Sequence, residues 1–200
     1  GGLIHVNGGS MSAADCLLIA GSGMNGGSLA IEDGVVIFND SHLFDSEALL
    51  NGGAAAVSGG ELTLIDVEVD GCVAESGGAL SVVAGETVLL GCNVHGNTAV
   101  SGGGLVNEGG TLSVATSEFC SNPNGNIIGE WVDMGGNILE DICVCPADLD
   151  VSGSVDVQDL LLVIEGWGPC PSECPADLSG DGLVGTDDLL AVIAEWGICN

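Results

Sequence analysis

The 200-residue chain contains no Lys, no Arg and no Tyr, and only three Phe and three Trp. Without a fixed side-chain cation it cannot build a basic patch, which excludes nucleic-acid binding and attraction to an anionic membrane. The same lack rules out any mechanism in which a Lys or Arg of this chain holds an anion or acts as a base. No apolar run reaches the roughly 18 residues that a membrane-crossing helix needs. Against these absences stand 29 Asp and Glu and three His, a net charge of −29 at pH 7. With 46% hydrophobic residues the chain is too apolar for an acidic disordered tail. Gly occupies 35 positions, far above a usual share of about 7%. Tight turns around a narrow core of small side chains are therefore expected. Nine Cys, five of them in the last 58 residues, favour an oxidising extracellular or cell-surface setting.

A period runs through the first two thirds. Gly-Gly pairs begin at Gly1, Gly26, Gly52, Gly77 and Gly102, with spacings of 25, 26, 25 and 25. Three residues after each pair begins come Ile4, Leu29, Ala55, Leu80 and Leu105, and two further on Val6, Ile31, Val57, Val82 and Asn107. Later columns hold Met11/Ala13, Val36/Phe38, Leu62/Leu64, Thr87/Leu89 and Leu112/Val114, then Leu18, Leu43, Val69, Val94 and Phe119. Spacing by two within a unit is strand periodicity with one face buried. Three short strands broken by Gly turns in every unit describe one coil of a parallel β-solenoid, with like columns stacking inside. Asn25, Asn51, Ser76 and Ser101, which precede Gly pairs, suit tight turns because they hydrogen-bond local backbone. Cys16 and Cys92 share one column and read as apolar filling, whereas Cys72 falls at a turn.

Residues 1–126 resemble the right-handed parallel β-helix of the pectate-lyase-like superfamily. More narrowly, Gly77-Gly78-Ala79-Leu80 and Phe119-Cys120-Ser121-Asn122 resemble the repeats of chlamydial-type polymorphic outer-membrane proteins. The resemblance implies a mainly-β, single-stranded solenoid of about five coils. Residues 127–144 break the period and are expected to cap and link. Gly1 falls at a coil boundary, so the chain is expected to be the C-terminal piece of a longer secreted precursor. Lyases of that superfamily use an Arg or Lys base, which this segment lacks. Asp66, Glu68 and Asp70 alternate and would share one face, where paired carboxylates cleave glycosidic bonds in some enzymes; a charged outer surface is the preferred reading. His5, His42 and His95 take three different coil positions and are not expected to cluster. Trp131 is the one ring of this region expected to be able to stack a sugar. No catalytic residue is assigned.

The last quarter is duplicated. Cys145–Cys170 aligns without gaps on Cys174–Cys199, with 15 identities in 26 positions. Within the first copy Asp148, Asp150, Ser152, Ser154, Asp156 and Asp159 take loop positions 1, 3, 5, 7, 9 and 12, with Gly153 at 6. The second copy places Asp177, Ser179, Asp181, Leu183 and Asp188 at 1, 3, 5, 7 and 12, with Gly182 at 6 and Gly185 at 9. Ca²⁺ takes six to eight oxygens, and a 12-residue loop with a Gly bend delivers them, position 7 through its backbone carbonyl. A helix follows each loop: Leu160, Val163, Ile164 and Trp167 form one apolar face, and Leu189, Val192, Ile193 and Trp196 repeat it.

Two loop–helix units bracketed by Cys resemble a type I dockerin domain of the kind found in planctomycete surface proteins, here spanning residues 145–200. The resemblance implies two Ca²⁺ ions and docking to a cohesin-like or other surface-anchoring protein. Loop positions 10 and 11, Val157/Gln158 and Thr186/Asp187, would meet that partner, although they lack the Ser-Thr pair of cellulosomal dockerins. The antiparallel helices of such a domain bring the start of one repeat near the end of the other, which implies the disulfides Cys145–Cys199 and Cys170–Cys174. A bridge within one repeat would have to span about 15 Å of helix. Cys120 and Cys143 flank the cap and could close it. The whole reads as a secreted, non-catalytic structural or adhesive protein anchored through calcium, with polysaccharide as a possible further partner. The alternative is a fragment of a polysaccharide lyase or glycoside hydrolase with its catalytic coils upstream.

Overall fold

The computed structural model describes residues 2–143, 145–170 and 174–198. It divides into two compact units, Gly1–Ile142 and Cys143–Asn200.

The first unit is a parallel β-solenoid of about five turns, mainly β and built from three sheets. The largest is ten-stranded and contains Ile4–Ala14 and Leu29–Asn39, each a single long strand in its coil. Later coils split that segment into two, as in Ala55–Val57 and Glu61–Ile65. A six-stranded sheet joins Leu17–Ile19, His42–Phe44, Glu68–Asp70, Asn93–His95, Glu118–Cys120 and Ile138–Leu139. A four-stranded sheet joins Ser22–Asn25, Glu47–Asn51, Val73–Ser76 and Thr98–Ser101. The sequence columns are the registers: Val36 pairs with Leu62, Leu62 with Thr87 and Thr87 with Leu112, while Leu43, Val69, Val94 and Phe119 pair in succession. Phe38, Leu64, Leu89 and Val114 fill the centre with no exposure. Thr87 lies among these apolar columns with a buried hydroxyl that has no partner.

The Gly pairs have two separate causes. From Gly26 on, the first glycine of each, as at Gly52 and Gly77, sits in the left-handed region at φ 63° and 66°. The second has no room for a side chain: a Cβ on Gly53 would lie 2.1 Å from the Gly78 carbonyl oxygen of the next coil. The other two corners, which flank the six-stranded sheet, are left-handed in coil after coil, through Asp15, Asp40, Asp66 and Thr116 at one and Asp45 and Ser121 at the other.

Corner amides that strand pairing leaves over are taken by polar side chains inside the coil. The Cys72 and Asn97 N–H groups donate to the Asn97 and Asn122 Oδ1 atoms of the following coil, each at 3.0 Å. The Asn97 Nδ2 donates to the Val69 and His95 carbonyls at 2.8 and 2.9 Å. At the other corner the Cys16 and Cys92 amides donate to Ser41 and Ser117 hydroxyls. Buried backbone donors must find acceptors somewhere, and these ladders supply them.

The single 26-residue spacing appears as a bulge in the strand Glu47–Asn51. Gly23 pairs with Ala48 but Asn25 with Asn51, so one extra residue is absorbed there. Residues 127–142 do not merely cover the last coil but extend the stack: Ile127–Ile128, Val132–Asp133 and Ile138–Leu139 pair in parallel with the fifth coil. Trp131 is partly buried and packs against the core at this end.

The second unit holds two helices, Val157–Glu165 and Thr186–Ala194. Its core is small: Ala147, Val155, Val163, Val184 and Val192 are buried, with Leu149, Leu160, Leu178 and Leu189 packed partly against them. The repeats exchange strands. Ser154–Val155 pairs antiparallel with Gly197–Ile198, and Gly168–Pro169 with Leu183–Val184. Each loop thus closes on the segment that follows the other repeat's helix. The expected apolar face is only half buried, because Ile164, Trp167, Ile193 and Trp196 remain about half exposed.

Candidate metal-binding loops

Asp159, at the start of the first helix, organises its loop. Its side chain is fully buried. Oδ1 accepts the Leu149 and Asp150 amides at 2.7 and 3.2 Å, and Oδ2 accepts the Asp156 amide at 2.8 Å. Asp156 caps the same helix by accepting the Gln158 amide at 2.7 Å, completing a capping box. At the other end of the loop Asp148 accepts the Ser152 and Gly153 amides at 2.9 and 2.8 Å. Asp148, Asp150 and Asp159 thereby bring carboxylate oxygens within 4.8 Å of one another. Desolvation pushes the Asp148 carboxyl up, but the Gly153 and Ser152 amides outweigh it and hold the group below its ordinary value.

The remaining candidates of this loop lie around that group. Asp156 is engaged as the helix cap. Ser152 donates its hydroxyl to the Ser154 carbonyl at 3.1 Å, the oxygen expected at position 7. Gly153 takes the left-handed bend at φ 88°, with open space around it.

The second loop repeats the scaffold with three acids at the ligand positions in place of four. Asp188 is buried and accepts the Ser179 and Gly185 amides at 2.9 and 2.7 Å. The Ser179 amide, working against desolvation and joined by the Gly185 amide, lowers its pKa. Asp177 accepts the Asp181 and Gly182 amides at 3.2 and 2.9 Å and the Ser179 hydroxyl at 3.3 Å. Asp181 accepts the Leu183 amide at 2.8 Å. Gly185 is the helix N-cap and offers no side-chain cap. Among the described residues only the first loop draws three carboxylates together.

Such an arrangement needs a counter-charge. A carboxylate taken out of water is costly unless a cation or several donors compensate it. Backbone amides do part of that here. Two amides fill Asp159 Oδ1, but Asp159 Oδ2 and Asp188 Oδ2 accept one amide each and keep a lone pair, and the chain has no Lys or Arg to meet it. The donor set is all oxygen, which fits a hard divalent ion such as Ca²⁺.

The residues proposed to touch a partner stand on the first turn of each helix. Val157, Gln158, Thr186 and Asp187 are all exposed. A disulfide joins Cys170 to Cys174, with Cα atoms 5.9 Å apart. Cys120, Cys143 and Cys145 are also disulfide-bonded; the expected partner Cys199 lies outside the described residues.

On the solenoid Asp66 does not share a strand face with Glu68 and Asp70. It occupies a left-handed corner, at φ 50°, ahead of their strand. Two histidines do cluster, against expectation. His42 and His95 come from different coils, yet both reach Glu68. Sequence columns hid this meeting because the Glu68–His95 contact runs diagonally across the sheet. Cys72 and Cys92 are buried free thiols, with desolvation pushing them up to about 12 and about 11, so neither has nucleophilic character. No known protein family, curated protein or solved structure matches the chain.

Proposed function

We propose that the protein is a secreted, non-catalytic structural or adhesive β-helix rod whose C-terminal unit is a dockerin-like, calcium-dependent anchor. The reading is carried by the convergence of Asp148, Asp150 and Asp159 within 4.8 Å in a chain with no fixed cation. Ca²⁺ supplies the counter-charge that this loop lacks. Asp148, Asp150, Asp159 and the Ser154 carbonyl hold the first ion; Asp177, Asp181, Asp188 and the Leu183 carbonyl hold the second. Ordered loops fix the two helix starts, and with them Val157, Gln158, Thr186 and Asp187.

The helices support a docking role beyond the loops. Leu161, Ile164 and Trp167 are about half exposed, and Leu190, Ile193 and Trp196 repeat them 29 residues on. Two matched apolar stripes of this kind suit a cohesin-like or other surface-anchoring partner. An extracellular or cell-surface location fits the disulfides and the acidic surface.

Calorimetric titration of the full chain with Ca²⁺ tests the anchor. The expected result is two ions per chain and loss of both in Asp148→Ala combined with Asp177→Ala. A chain that takes up no Ca²⁺ at millimolar concentration, the affinity range of extracellular modules, overturns the reading.

A further inference from the structure

The column that begins at His5 continues through Ala30, Ala56, Ser81 and Val106. Its neighbours along each strand, such as Leu29 and Ile31, belong to the core, so these side chains face outward. Ala30 and Ala56 are nevertheless only 7% and 6% exposed. They form the floor of a cavity of about 290 Å³ on the outside of the coils. Asn25 and Asn51 wall it before the strand, and Glu32 and Ser58 after it. The turn at Gly52 presses the first wall onto the sheet, since a Cβ there would lie 1.9 Å from the Ala55 carbonyl oxygen. Ser81 follows Ala56 along the column and is turned the same way, fully buried, with a hydroxyl that has no partner.

Hydrogen-bond valence gives the cavity a sign. Asn51 Nδ2 donates to Asn25 Oδ1 at 3.0 Å, and Asn51 keeps its own Oδ1 as an acceptor. The Ser58 hydroxyl donates to the Ile31 carbonyl at 3.2 Å, which leaves its oxygen lone pairs. Asn7 Nδ2 donates to Glu32 Oε2 at 3.0 Å, and His5 Nε2 lies 3.1 Å from Glu32 Oε1. Each of those carboxylate oxygens keeps a further lone pair. Donors are thus spent inside the walls, Asn25 Nδ2 excepted, while acceptors remain. The chain has no Lys or Arg to meet them. The rest of the lining, including Val83, is apolar.

We propose that this cavity binds a protonated primary amine on a short aliphatic stem. An ammonium brings three donors and no acceptor, which matches walls rich in acceptors. Its stem packs on the alanines and Val83. A carboxylate or phosphate ligand would meet Glu32 with no cation to hold it. Two sources carry the ammonium group, a free diamine and a Lys side chain of a partner protein. The site lies on the solenoid and is independent of the C-terminal loops.

The test is calorimetric titration of the full chain with cadaverine and, separately, with N-acetyl-lysine amide. Ca²⁺ is kept in excess, and about 0.15 M salt screens diffuse attraction. The expected result is one site per chain, weakened about tenfold or more in Glu32→Gln. Ala56→Leu, which fills the floor, weakens it likewise; if the larger side chain unfolds the coil, Glu32→Gln alone decides. Glu118→Gln removes the same charge from the six-stranded sheet and leaves the affinity unchanged. Circular dichroism verifies that each variant is folded. Tighter binding of the lysine amide assigns the site to a Lys side chain of a partner, and tighter binding of cadaverine to a free amine. No binding of either probe at millimolar concentration overturns the proposal. So does binding that falls equally in Glu32→Gln and Glu118→Gln, since it then answers to net charge alone.

Discussion

The solenoid and the C-terminal unit solve the same problem, a chain rich in acid and poor in large side chains, by opposite means. The solenoid stacks more than twenty buried apolar residues in one continuous cluster and satisfies its corner amides with its own Ser and Asn side chains. Its charges stand mainly on the outside. The C-terminal unit has five buried apolar residues and gathers carboxylates inward around each loop. Repetition lets the first region complete itself, because each coil is the partner of the next. The second is too small for that and adds disulfides and carboxylate–amide hydrogen bonds.

The largest break in this contrast comes from the solenoid core. Phe38→Ala removes a fully buried ring stacked between Ala13 and Leu64. The expected loss is about 3–5 kcal/mol, seen in chemical denaturation as a shift of the solenoid transition while Ca²⁺ uptake by the C-terminal unit persists. Acid acts in the reverse sense. Asp148 and Asp188 are held below the ordinary carboxyl value of 3.8 in the folded chain. Their contribution is therefore complete above that value and disappears as pH falls through the lower, folded value. In a Trp131→Phe background, where tryptophan fluorescence reports only Trp167 and Trp196, the emission should change below pH 4 before the far-ultraviolet β signal does. The smallest effect sharpens the comparison from within the core. Thr87→Val replaces an unpartnered buried hydroxyl in the column Leu62–Thr87–Leu112, so the solenoid should gain about 1 kcal/mol, read as a higher denaturation midpoint. A loss of stability in that variant would mean that the hydroxyl has a partner in solution.

Legibility in the sequence followed the same division. Columns such as Leu43, Val69, Val94 and Phe119 could be read directly, because a solenoid turns a period in the chain into a neighbour in space. The corner ladder through Ser46, Asn97 and Asn122 was not legible, because the recurrence of a Ser or Asn in a column does not show that its side chain turns inward to a neighbouring coil's amide. The His42–Glu68–His95 group escaped because His95 stands two residues out of phase with the column that His42 and Glu68 share. Residues 127–142 continue the stack with two-residue strands, too short to carry a periodic signal. In the C-terminal unit the loop acids were legible from spacing, but the burial of each helix was not. Ile164 and Trp167 have the phase of core residues, yet a core of five side chains has no room for them.

The extra residue in Glu47–Asn51 carries a practical consequence. Pairing resumes at Asn51 with Asn25 before it and Ser76 after it, and Leu49 and Leu50 swing outward without disturbing either neighbour. That point is where the circumference of the rod is negotiable. A foreign epitope spliced between Leu49 and Leu50 would be displayed on the rim while the rungs above and below kept their alignment, which makes the site a natural graft point for engineering.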